Sequence, residues 1–182
     1  CSAGEFFIID AEKGTTDDRF QIPDSESNES TCNFSPNGKF IVVSDGKDWC
    51  SVWDVETHLM VYRFRTESDR ISTPFVCFAN SVNTVVFGGG KIIYEKKSQS
   101  TGPTTLLAYP LNPQATLDVS QDGEFVVTGS GPRWINGGFS VGDCKVRLWN
   151  RKTGAVSRVF TGHREWLYSV VFSPDGNRIL SG

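Results

Sequence analysis

Short runs of β-branched and aromatic residues recur along the chain, separated by clusters of Gly, Pro, Asp, Asn and Ser. Four segments share one order: an apolar run, a polar turn, and a second apolar run that ends at a small residue. They are residues 32–38 with 40–44, 76–81 with 84–88, 117–123 with 125–129, and 170–176 with 179–182. Proline at the second turn position presets φ, and glycine accepts a positive φ, so each segment predicts a hairpin. After each of the first three hairpins, a third apolar run ends in an aromatic–polar pair: Trp53-Asp54, Tyr94-Glu95 and Trp149-Asn150. A fourth run follows at 60–64, 105–111 and 156–160. No stretch sustains a helical period.

The equivalent turn position falls at Ser35, Ala79, Ser120 and Ser173, at spacings of 44, 41 and 53 residues. Four short strands per period of about 40–45 residues is the pattern of a propeller blade. One insertion, residues 129–143, accounts for the longest spacing. The expected fold is all-β, a β-propeller of four-stranded antiparallel blades. It divides into a half-blade at 1–22, blades at 30–65, 74–111 and 114–161, and a second half-blade at 166–182. Three full blades and two half-blades make about four blade equivalents.

The chain resembles the WD-repeat β-propeller family. The likeness rests on Trp53-Asp54, Trp149-Asn150, Gly162-His163 and the Phe-Ser-Pro-x-Gly turns at 34–38 and 172–176. Tyr94-Glu95 and Ile9-Asp10 hold the Trp-Asp place in degenerate form. The resemblance implies a hydrogen-bonded tetrad: a His between blades, a Ser or Thr on the second strand, an Asp in a tight loop, and the Trp. The matching residues are Thr128, Asp143 and Trp149 in one blade, and Ser44, Asp48 and Trp53 in another, each without a His. His163 has Ser181 as its match. The resemblance further implies a ring of seven or eight blades. The mid-blade ends and the absence of an initiator Met lead to the expectation of an excerpt of a longer propeller. The alternative is two copies joined head to tail.

The chain's 38% hydrophobic and 21% charged residues can build a core, which excludes global disorder. A net charge of −3 gives no bulk cationic field for nucleic acid or membrane, and no apolar run is long enough to span a bilayer. Five widely spaced cysteines and two histidines, with no Cys-x-x-Cys pair, leave no zinc pattern, and no cofactor is expected. The cysteines read as reduced, packed thiols of an intracellular protein, cytoplasmic or nuclear. Two glycosylation acceptor patterns, at Asn28 and Asn33, carry little weight, because the second falls in a strand.

Recognition belongs to loops on a rigid scaffold. By the resemblance, three of them share one face: the acidic, serine-rich stretch 24–30, the segment 67–70, and the insertion. The insertion carries Arg133, Trp134, Ile135 and Phe139 among Gly and Pro, so it reads as a loop with residue types that dominate binding hot spots. Lys145 and Arg147 alternate with Val146 and Leu148 and read as outward-facing strand charge. Lys96-Lys97 reads as part of a loop on the opposite face, and Gly88-Gly89-Gly90-Lys91 as a tight turn without phosphate-binding spacing.

The functional expectation is a non-catalytic scaffold that binds proteins or peptides within a larger complex or multidomain protein. An RNA-binding propeller of a ribonucleoprotein is the alternative, motivated by Trp134 and the basic residues Arg133, Lys145, Arg147, Arg151, Lys152 and Arg158. A propeller hydrolase with His163 as general base is the second alternative. The ring needs the rest of a longer propeller, or a second copy, to close.

Overall fold

The computed structural model describes residues 5–21, 31–45, 49–65, 75–79, 81–89, 92–98, 104–108, 114–131, 134–135, 138–139 and 143–182. The described residues are strands and turns. Strands β1 (Glu5–Ile9) and β2 (Thr16–Gln21) pair as one two-stranded sheet. The first four-stranded blade comprises β3 (Thr31–Phe34), β4 (Phe40–Ser44), β5 (Trp49–Asp54) and β6 (Met60–Arg65), in that order. The second comprises β7 (Phe75–Ala79), β8 (Ser81–Gly89), β9 (Ile92–Lys97) and β10 (Thr104–Ala108). The third is built from β11 (Gln114–Val119), β12 (Phe125–Ser130), β15 (Val146–Asn150) and β16 (Val156–Phe160). A small hairpin of β13 (Trp134–Ile135) and β14 (Gly138–Phe139) is inserted between β12 and β15. A final pair, β17 (Val170–Phe172) and β18 (Ile179–Ser181), follows. All these pairings are antiparallel.

The turns are built by local chemistry that repeats. Ser35 donates its hydroxyl to Asn37 Oδ1 (2.7 Å) and accepts the Phe40 amide (2.9 Å). Ser120 does the same with Asp122 (2.6 Å) and Phe125 (2.9 Å), and Ser173 with Asp175 and the Arg178 amide (2.9 Å). Each turn closes on a glycine in the left-handed region: Gly38 (φ 70°), Gly123 (φ 73°) and Gly176 (φ 72°). A second turn, between the third and fourth strands, places Asp10, Asp54 or Asn150 to accept the amide three residues on, at 2.8–2.9 Å. It ends at Gly14 (φ 65°), His58 (φ 59°) and Gly154 (φ 69°).

Strand alternation gives every blade two apolar faces, and the core lies between blades. Phe6 and Ile8 pack on Ile41, Val43 and Trp53. Val42, Val52 and Phe64 meet Val76, Val85 and Phe87. Val86 and Ile93 meet Leu117, Val126 and Trp149. Val127 and Val146 meet Leu167 and Val170. The aromatic that closes each third strand faces the preceding sheet: Trp53 lies in the first of these layers and Trp149 in the third, while Tyr94 packs on the second and stacks on Phe87 at 5.4 Å. The outer faces of the two terminal sheets are open, with Phe7 46%, Ile9 62% and Leu180 73% exposed.

Several expectations need correction. The insertion is not simply a loop, because Trp134 pairs with Phe139 and Ile135 with Gly138 across a hairpin. Lys96 and Lys97 belong to β9, and Lys96 is buried, since the ladder to β8 continues past the aromatic pair. Arg147 is not outward-facing strand charge: it is 4% exposed, because its strand face is covered by the second blade. Among the cysteines, Cys50 and Cys77 are buried, but Cys32 is exposed on the innermost strand of its blade. The stretches 24–30 and 67–70 lie outside the described residues.

Candidate interaction surface

The third blade carries the most complete polar network. The Trp149 indole N–H donates to Thr128 Oγ1 at 3.0 Å, both groups buried between the second and third blades. The ladder pairs Trp149 with Val126 and Arg147 with Thr128, so all four side chains share that face. The Arg147 guanidinium reaches Asp143 in the loop before β15 and donates to Ser130 Oγ at 3.2 Å. Lys145 Nζ is 3.6 Å from the same Asp143 carboxylate. A buried arginine is tolerated only when paired, and here the pairing carboxylate and hydroxyl come from both sides of the insertion. The insertion is therefore closed at its base by an ionic clasp.

In the first blade the pattern differs. Ser44 is not on the face of Trp53. The ladder pairs Trp53 with Ile41 and Ser51 with Val43, so Val43 holds the place that Thr128 holds in the third blade. Ser44 sits opposite Cys50, on the face turned to the second blade. A one-residue offset along a strand reverses the face. The Trp53 indole instead donates to Ser51 Oγ at 2.8 Å. Asp48 lies outside the described residues, whereas Asp45 in the same loop is buried and accepts the Trp49 amide at 3.0 Å.

His163 and Ser181 come together, with Nε2 and Oγ 2.8 Å apart. Their pair lines a cavity of about 490 Å³ between β16 and the β17–β18 sheet, together with Arg158, Phe160 and Ile179. Arg133 lies outside the described residues, and Trp134, Ile135 and Phe139 are placed by backbone on the β13–β14 hairpin.

Several inter-blade contacts have no counterpart in the sequence reading. Arg151 donates from Nε to Glu95 Oε2 and from Nη1 to the Gly123 carbonyl, each at 2.9 Å, tying the third blade to the second. Asp118 on β11 accepts the Phe172 amide of β17 at 2.8 Å and the Val119 amide at 2.9 Å. Burial raises the Asp118 pKa above its ordinary value, against the lowering effect of those two amides. Burial likewise pushes the Cys50 and Cys77 thiols up, so neither is an activated nucleophile. The turn carboxylates Asp122 and Asp175 are lowered, chiefly by the hydroxyls of Ser120 and Ser173. Tyr168 stands 80% exposed in the loop between the third blade and the last sheet. Only its place beside Gly162-His163 hinted at a role.

Four-stranded sheets stacked face to face, each closed by an aromatic on its third strand, define a β-propeller. Residues 154–182 match the family described as WD domain, G-beta repeat. The chain is 24% identical over 149 residues to transcription initiation factor TFIID subunit 5 of Caenorhabditis elegans, covering 82% of this chain and 21% of that protein. It is 34% identical over 73 residues to nuclear distribution protein PAC1 of Mycosarcoma maydis, covering 39% of this chain and 14% of that protein. An uncharacterized WD repeat-containing protein of Synechocystis, sll1491, is 22% identical over 150 residues, covering 82% and 40%. The crystal structure of the Cps50 (Swd1) β-propeller domain of Myceliophteria thermophila superposes with a TM-score of 0.74 at 9% identity, over 98% of this chain and 56% of that one. The chain has a β-propeller fold and is similar to WD-repeat proteins, with the family's repeat matched at residues 154–182. It spans less than half the length of each of these curated relatives.

Proposed function

We propose that this chain is a non-catalytic scaffold for protein–protein assembly, and that the β13–β14 hairpin with Arg133, Trp134, Ile135 and Phe139 is its recognition element. The observation that carries the reading is the hairpin's mounting. It interrupts an otherwise regular blade, and its base is clasped by Arg147, Asp143 and Ser130. An element held in one geometry loses little freedom on binding. Two relatives are named as parts of a transcription factor and of nuclear distribution, which favours work inside a nuclear or cytoplasmic complex. Thr128 with Trp149, and Ser51 with Trp53, serve the scaffold by satisfying buried indole N–H groups, Asp143 pairs with the buried Arg147, and His163 with Ser181 makes an exposed hydrogen bond. Burial of Arg147 removes one cation from the stripe that motivated RNA binding.

The outer faces bearing Phe7 and Ile9 at one end, and Val171 and Leu180 at the other, are covered by further blades of a longer polypeptide or by a second copy. The domain limits given above are those of this arc. Affinity purification of the full-length protein, followed by mass spectrometry, tests the scaffold reading. A set of co-purifying proteins lost on R133A/W134A with unchanged melting supports it. An unchanged set removes the hairpin's role. Turnover of esters, peptides or glycosides that disappears in H163A, with the fold intact, overturns the non-catalytic reading.

A further inference from the structure

Strand alternation at the end of β12 sets Ser130 and its two flanking glycines on opposite faces. Ser130 turns to the second blade, where its hydroxyl donates to the Asp143 carbonyl and accepts from Arg147 Nη1. Gly129 and Gly131 turn to the last sheet and leave bare backbone beneath the loop 161–169. A Cβ on Gly129 would lie 2.8 Å from Thr116 and 3.0 Å from Leu167. One on Gly131 would intrude into the Trp166 ring, which supplies all three of its nearest atoms. Trp166 and Leu167 are thus seated on this glycine track, and Leu167 is fully buried beside Val127 and Val170.

Gly131 is where the insertion leaves the blade, and residues 143–145 are where it returns. The loop bears on the returning stem as well. Burial, and then the charges of Glu165 and Asp143, raise the Cys144 thiol, so Glu165 lies within electrostatic reach of Cys144. The far side of the loop is tied by backbone. The Tyr168 and Ser169 amides donate to the Gly182 carbonyl at 2.8 and 3.0 Å, and the Gly182 amide donates to the Ser169 carbonyl at 3.1 Å. The root of the insertion is therefore gripped from both faces, by the ionic clasp on one and by Trp166 on the other.

We propose that the loop 161–169 is a strap across the root of the insertion, and that Trp166 is the positioning residue that holds the β13–β14 hairpin in one orientation. The ring touches Gly131, three residues before Trp134, and acts on the hairpin through the backbone of that outgoing stem. The proposal rests on the hairpin as recognition element and adds the residue that limits its freedom before binding. Hydrogen exchange of the whole chain, read by mass spectrometry of its peptides, tests it. In W166A and in G131A the hairpin amides should exchange about tenfold or more faster, while those of β15 keep their wild-type rates. G131A/W166A should exchange no faster than W166A, since the added methyl acts by displacing the ring. W166F keeps a ring over Gly131 and should restore slow exchange. Wild-type hairpin rates in W166A, additive effects in the double variant, or no rescue by W166F overturn the proposal. Acceleration that spreads to β15 also overturns it, because Trp166 would then support the blade as a whole. The measurement needs no partner, so the two readings separate. If W166A frees the hairpin while the co-purifying set survives R133A/W134A, the strap stands and the recognition role falls. If W166A changes nothing while that set is lost, the strap falls and the recognition role stands.

Discussion

Thr128 accepts the Trp149 indole N–H at 3.0 Å across the ladder of the third blade, and neither side chain reaches solvent to any useful extent. The pair lies on the face turned to the second blade, so its hydrogen bond and the apolar layer around it form together. Thr128→Val keeps the shape and removes the acceptor. The indole N–H then stays buried, at a cost of about 1–3 kcal/mol. Urea unfolding of wild type, T128V, W149F and the double variant checks this. The double variant should lose less than the two singles together.

Glu95 and Arg151 join the second and third blades, with the Gly123 carbonyl as a further acceptor. Both side chains are mostly buried. E95Q should cost about 1–2 kcal/mol, because it replaces a charge-assisted hydrogen bond by a weaker one. R151K should cost a similar amount, since one ammonium cannot span both acceptors in the guanidinium's geometry. Chemical denaturation at low and high salt measures both. Near-equal losses at the two salt concentrations would match a shielded pair.

His58 holds φ 59° at the turn position where the equivalent sheets have Gly14 and Gly154. A side chain there carries strain that glycine lacks, although glycine also loosens the unfolded chain. H58G should gain about 0.5–1 kcal/mol and G154A should lose about as much. Thermal melting of the two variants against wild type gives the sign directly.

Asp118 sets one pH dependence, and the exposed turn carboxylates set the opposite one. The Asp118 pKa is raised in the fold. Its contribution is therefore fully present below its unfolded value, and is lost as pH rises through the folded value. Asp10, Asp54, Asp122 and Asp175 are lowered, and their contributions are lost as pH falls through their folded values. Cys77 and Arg151 lie near enough to share electrostatic coupling in this region. Wild type minus D118N stability should fall as pH is raised from about 3.9 upward. Wild type minus D122N should rise over the acid range. Melting temperatures of the three proteins from strongly acidic to neutral pH, spanning both sides of about 3.9, decide both signs.

The repeats were legible in sequence because their chemistry is local. A Ser that caps its own turn, an Asx two residues on, and a Gly at positive φ all act within six residues, so composition and spacing reveal them. Apolar alternation likewise fixed the blade period, and the aromatic–polar pair marked the end of the third strand at Trp53-Asp54 and Trp149-Asn150, whereas β9 continues two residues past Tyr94-Glu95 to Lys97. The site was legible only in part. Thr128 with Trp149 and His163 with Ser181 were expected from the family resemblance, and both pairs meet in the structure. Ser44 did not, because two adjacent positions on a strand look alike in sequence and face opposite ways in space.

Sequence by itself determined the unit: four short strands, their turns, and the third blade's interruption by an insertion rich in aromatic and glycine residues. Tertiary structure alone decided which polar groups are buried and what they meet. Arg147 resembled a surface charge until the second blade covered its face and Asp143 and Ser130 supplied its partners. Glu95 and Arg151 are 56 residues apart along the chain. Desolvation and long-range pairing depend on which surfaces meet, and no local pattern of side chains encodes that meeting.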